Sequence, residues 1–168
     1  MPQHFYLKSP FDLLQKLKWG INRFKEAAEA EKQFFPAAYF AFDCGITAWS
    51  MVDWVWKYHH EELSQRFRVK NDFATWVRRE SDSLRICYQL ATSAKHLGVD
   101  SYADENLKAE IELEPDHWFR AGSPVGQPLV RYKSIFTVDD SGNRISALDV
   151  LEGAYHFWCR ELQIDPVS

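Results

Sequence analysis

A chain of 168 residues that is 46% hydrophobic, 15% aromatic and 26% charged can bury about 70% of its unfolded surface in one core. It falls outside the disordered, collagenous and low-complexity classes. Twenty lysines and arginines against 24 aspartates and glutamates give a net charge of −4, which argues against a general nucleic-acid coat and leaves room for a local basic patch.

The elements are expected in the following order. Ser9, Pro10 and Asp12 place an N-cap, a first-turn proline and an acid three residues after the cap, so a helix begins here. Leu14, Leu17, Ile21, Phe24 and Ala28 then recur at spacings of three and four, one apolar face of a helix running to about Gln33. Pro36 punctuates, and the stretch to about Tyr58 is apolar on most sides, with Phe40, Ile46, Trp49, Val52, Trp54 and Trp56; it is read as the central, most buried helix. Ala37 to Trp56 is long enough to span a bilayer but carries Asp43 and Asp53, each costing about 3 kcal/mol there, so no membrane span is expected. His59 to Lys70 reads as a short charged helix, Asn71 caps a run to Arg79, and Leu84 to Leu97 is helical until Gly98 ends it.

The character then changes. Val99 to Phe119 holds seven acids against Lys108 alone, and Leu107, Ala109, Ile111 and Leu113 alternate with charged residues, the period of a half-buried strand. A partner strand is expected over Leu129 to Val138, with Glu110 and Glu112 set opposite Arg131 and Lys133. Asp139 to Asn143 reads as a turn, and Ser146 caps a last helix that runs to about Gln163. The fold expected is mainly α: one bundle of four or five helices over residues 1–168, with a small antiparallel hairpin at about 107–138 before the C-terminal helix.

Chemistry is sought first on two polar stripes. Asp43, Thr47, Ser50, Asp53 and Lys57 recur at helical spacing on the second helix, and Arg85, Gln89, Thr92 and His96 do so near the hairpin. Facing each other, the stripes pair Asp43 or Asp53 with Arg85 and His96, as a satisfied network or a polar cleft; turned outward, each is a solvated face. His96 is the candidate general acid or base, with Arg85 or Lys95 on a phosphate and the aspartates orienting the imidazole. Gln89, Thr47, Ser50, Arg78 and Arg79 are candidate binding groups. Arg66 to Arg85 carries six basic residues against three acidic ones, with Phe67, Phe73 and Trp76 interleaved, a pattern that holds RNA if the rings face outward and a core if they face inward. Adjacent ligands at His59-His60-Glu61-Glu62 diverge on a helix, so no metal site is expected. Phosphate-loop, HExxH, GxSxG and paired CxxC motifs are absent, and no cofactor is expected. Cys44, Cys87 and Cys159 are odd in number and far apart, which favours reduced, packed thiols and a cytoplasmic location. The first ten residues, with His4, Lys8 and Pro10, lack the apolar core of a secretory signal.

Residues Ala41 to Trp56, with Thr47-Ala48-Trp49 and Val52-Asp53-Trp54, resemble the signature helix of a bacterial family of small proteins of uncharacterised role. Cys87 to His96, a cysteine-bearing helix ending in Lys-His, is similar to that family's second signature, and Val138 to Gly142 followed by Ala147 to Leu151 fits its strand, turn and helix. Family members often carry histidine where this chain has Ser50. The family's layout is in turn similar to HEPN domains, some of which are RNases of toxin and phage-defence systems. Those enzymes carry an arginine, four to six intervening residues and then a histidine, a spacing this chain lacks.

Two functions of different class follow as expectations. One is a non-enzymatic interaction module that docks a protein partner or pairs with itself as a homodimer. The alternative is a HEPN-like RNA-binding protein or metal-independent RNase.

Overall fold

Ser9 opens the first helix as its spacing predicts. Its backbone N–H donates to Asp12 Oδ2 at 2.9 Å, and the Asp12 N–H donates back to Ser9 Oγ at 3.3 Å, a reciprocal capping box with Pro10 in the first turn. The computed structural model describes residues 7–29, 34–95, 107–118, 130–140 and 142–165. Helix α1 covers Pro10–Glu29; its expected continuation to Gln33 lies outside the described residues. Leu14, Leu17, Ile21 and Phe24 are all buried, the face predicted by their spacing.

Helix α2 (Phe34–Tyr58) begins before Pro36. The proline therefore sits in the first turn, where its missing N–H breaks no helical bond, and does not punctuate. Helix α3 (His60–Arg66) is short, and α4 (Lys70–Glu80) has Val69 in the N-cap position, with no side-chain cap bond. Asn71 thus lies inside α4 and is not its cap. Helix α5 (Asp82–Lys95) follows at once, the Leu84 N–H donating to Ser81 Oγ at 3.2 Å.

Strands β1 (Leu107–Trp118) and β2 (Val130–Asp140) pair antiparallel, and β3 (Asn143–Ser146) extends the predicted hairpin to a three-stranded sheet in the order β1-β2-β3. Gly142, at φ 87°, takes the tight turn into β3, its N–H donating to Asp139 Oδ1 at 2.8 Å. The expected charge register is corrected. Glu110 stands opposite Thr137 and Glu112 opposite Ile135; Lys133 meets Glu114, and Arg131 meets His117 across an irregularity between Pro115 and His117. Helix α6 (Ala147–Glu161) starts directly after β3, with the predicted Ser146 cap accepting from the Leu148 N–H at 3.2 Å.

The protein is mainly α, with six helices among the described residues and an antiparallel sheet before the last one. The short α3 is what takes the bundle past the expected four or five. Helices α1, α2, α5 and α6 share one core. At its centre Trp158 is fully buried, and its indole Nε1–H donates to the Ala48 carbonyl at 3.0 Å, so the largest core side chain leaves no donor unpaired. Where α1 crosses α2, a Cβ on Gly20 would lie 2.7 Å from Cys44 Sγ; the two helices approach closely because that residue has no side chain. Helix α2 is central, but one side of it faces solvent, with Tyr39, Phe42 and Tyr58 exposed. The deepest burial is in α6 instead.

Candidate functional site

Among the described residues the two polar stripes do not meet. Asp43 pairs with Lys16 of α1, Nζ to Oδ2 at 3.3 Å, and the same ammonium donates to Thr47 Oγ1 at 2.9 Å. Thr47 is buried and Lys16 reaches in to satisfy it, while Asp43 stays in water. Asp53 is exposed, 64% of its side chain being accessible, and it pairs with Lys70 at the start of α4 at 2.6 Å. Its place on the helix expected to be most buried does not bury Asp53: Val52 is buried, but Asp53 lies on the outer side of the helix. Ser50 donates to the Ile46 carbonyl at 2.8 Å, a local backbone bond.

On α5, Arg85 turns to the sheet. Its Nη2 forms an ion pair with Asp140 of β2, and its Nε lies 3.4 Å from Asp82. Burial works against the guanidinium's charge, but the hydrogen bonds to the two carboxylates outweigh it and raise its pKa. Arg85 thus fastens the sheet to α5 and does not meet Asp43 or Asp53. Thr92 donates to the Tyr88 carbonyl at 2.8 Å, and Gln89 is half-buried on the same helix. His96 and the side chain of Lys95 lie outside the described residues.

The basic stretch is also partly committed to structure. Arg78 lies over the Tyr88 ring at 4.5 Å and donates to Thr75 Oγ1 at 3.1 Å; Arg79 neighbours Glu80 at 3.4 Å. Phe67, Phe73 and Trp76 form an aromatic cluster with Trp56 and Phe157, so these rings face the core. The three thiols are free and buried. Burial pushes Cys44 and Cys87 up to about 12, which makes poor nucleophiles of both. Among the described residues no His, Cys, Asp and Glu cluster could hold a metal ion, and no helix is long and apolar enough to cross a membrane.

The structure draws attention to a surface the stripes did not include. On the outer side of α1 and α2, Trp19 is 60% exposed, Tyr39 68% and Phe42 41%. Arg23 lies between the helices, its guanidinium 5.9 Å from the Trp19 ring and 5.6 Å from the Phe40 ring. Two ion pairs flank it, Arg23 with Glu26 at 3.0 Å and Lys16 with Asp43. No family model, no curated protein and no solved structure matches the chain.

The sequence did hold a signal for this surface. Trp19 stands two residues from Leu17, roughly 200° around the helix from the buried face, so a large ring there is turned to solvent unless a neighbour covers it. Further along α2, Asp53 and Lys57 line a cleft of about 720 Å³ together with Leu7, Lys8, Trp54 and Tyr58. These two stripe residues do share a concave surface, with partners the helical spacing did not name.

Proposed function

We propose that the chain is a non-enzymatic interaction module that pairs with a second copy of itself through the outer face of α1 and α2. The observation that carries this reading is the exposed aromatic group of Trp19, Tyr39 and Phe42 beside Arg23. Tryptophan, tyrosine and arginine are the residue types that dominate binding energy when an interface closes over them. The face also suits a copy of itself. Lys16 and Arg23 are balanced by Glu26 and Asp43, and under a two-fold axis each cation can meet the opposite copy's carboxylate without net repulsion.

Sedimentation equilibrium of the wild type and of Trp19→Glu tests the reading. The expected result is a concentration-dependent dimer that the variant loses while keeping its melting temperature. A wild type that stays monomeric at every concentration, or a variant that still dimerises, overturns it. Cleavage of RNA by the purified chain, abolished in His96→Ala, would overturn the non-enzymatic assignment.

A further inference from the structure

Strand β1 forms one long side of the sheet. In the order β1-β2-β3 both sides of β2 are taken, and the outer strand β3 is four residues long and runs straight into α6. Among the described residues no strand pairs with the other side of β1, which spans Leu107–Trp118. Pro115 fits such a strand: a proline within a sheet belongs at an edge or an irregularity, where its missing N–H breaks no ladder bond. The stretch before it, residues 107–114, offers a row of backbone donors and acceptors about 27 Å long.

The register sets two kinds of residue along this edge. Ala109 stands opposite Val138, which belongs to the core, so positions 109, 111 and 113, held by alanine, isoleucine and leucine, fall on the side of the sheet that meets the helices. Glu110, Glu112 and Glu114 fall on the opposite side. Within the sheet only one of these three is matched by a base: Glu114 stands opposite Lys133, whereas Glu110 stands opposite Thr137 and Glu112 opposite Ile135.

We propose that this edge takes an extended segment of a partner protein, with basic and apolar residues in alternation, as a fourth strand. The backbone bonds of an added strand are the same for any sequence, so they fix its geometry and leave the choice of partner to the side-chain positions. Opposite charges directly across a ladder favour pairing and like charges oppose it, each by up to about fivefold. Over Glu110, Glu112 and Glu114 a lysine-bearing strand is therefore preferred to a glutamate-bearing one by about tenfold or more. A second copy of β1 is the wrong partner on the same ground, since it sets one row of glutamates against another. The apolar residues of the incoming strand fall beside positions 109, 111 and 113.

Amide hydrogen exchange read by NMR on the full chain tests this with three end-blocked peptides of equal length. In the first, lysine alternates with valine; in the second, glutamate alternates with valine; in the third, the lysines and valines of the first are gathered into two blocks. The expected result is that the alternating lysine peptide binds saturably, slows exchange within residues 107–114, and binds about tenfold more tightly than the glutamate peptide. The block peptide carries the same charge and should also bind about tenfold more weakly, which separates strand addition from general attraction to an acidic surface. Glu110→Lys combined with Glu112→Lys should remove the preference for lysine over glutamate at unchanged melting temperature. The proposal is overturned if the alternating lysine peptide leaves exchange in β1 unchanged, if the block peptide binds as tightly, or if the double variant keeps the wild-type preference. Protection of residues 107–114 that rises with the concentration of the chain alone would give the edge to a second copy and overturn it too.

Discussion

Replacing Gly20 by alanine tests the close crossing on which the outer face of α1 and α2 depends. In an exposed helix interior this change stabilises by about 0.5–1 kcal/mol, because alanine loses less backbone freedom on folding. Here the new Cβ would sit 2.7 Å from Cys44 Sγ, inside contact distance, and Cys44 is only 1% exposed, so the sulfur has packed neighbours wherever it turns. Overpacking of this kind costs about 1–3 kcal/mol, and the difference is a net loss of about 1 kcal/mol, or about 2–4 °C of melting temperature at this chain length. Cys44→Ala alone should lose about 1 kcal/mol for a buried group of methyl size. In the double variant the added methyl fills the space the sulfur leaves, so the two losses should fall short of additivity by about 1 kcal/mol. Urea unfolding at constant m-value reads all four corners of this cycle. A Gly20→Ala protein more stable than the wild type, with additive effects in the double variant, would refute the close crossing.

Three further outcomes are expected. Arg85→Ala should cost about 1–3 kcal/mol in urea unfolding, less than the roughly 3–5 of a fully buried pair because water still reaches both Arg85 and Asp140; an unchanged midpoint would show that the sheet is not fastened to α5 through this pair. Asp53→Ala and Glu61→Ala should melt within about 1 kcal/mol of each other, since the Asp53–Lys70 pair is exposed; a markedly less stable Asp53→Ala protein would contradict its placement. The hydrogen bonds from Lys8 and Ser9 hold the Asp12 carboxyl below the usual aspartate range. Its contribution is therefore present above that range and lost as pH falls through the lowered value. The stability gap between the wild type and Asp12→Ala should narrow on acidification, and a gap that widens would be inconsistent with the capping box.

What could be read in advance was what is decided within a few residues. The caps at Ser9 and Ser146 depend on contacts two or three positions away, and the buried face of α1 depends on helical spacing alone. The strand register depended on more than charge pairing. The ladder is irregular between Pro115 and His117, next to the pair of Lys133 and Glu114, and that irregularity does not follow from alternation. The polar stripes failed for a related reason. Spacing places Asp43, Thr47 and Asp53 along α2, but it does not say which neighbour they meet, and Lys16 and Lys70 arrive from α1 and α4. Lysine side chains are long and flexible enough to reach carboxylates from several directions, so they satisfied the α2 acids before α5 did.

The join between the sheet and the last helix has a mechanical consequence. Ser146 closes the β3 ladder opposite Thr137 and caps α6 one residue later, so no spacer separates the two elements. A pull on β3 is transmitted straight into a helix whose Trp158 is locked into the centre of the bundle. The sheet therefore has no pivot at its α6 end. Any bending of the long hairpin must occur within its own strands, and the irregularity between Pro115 and His117, where the ladder is already broken, is its weakest point in flexure.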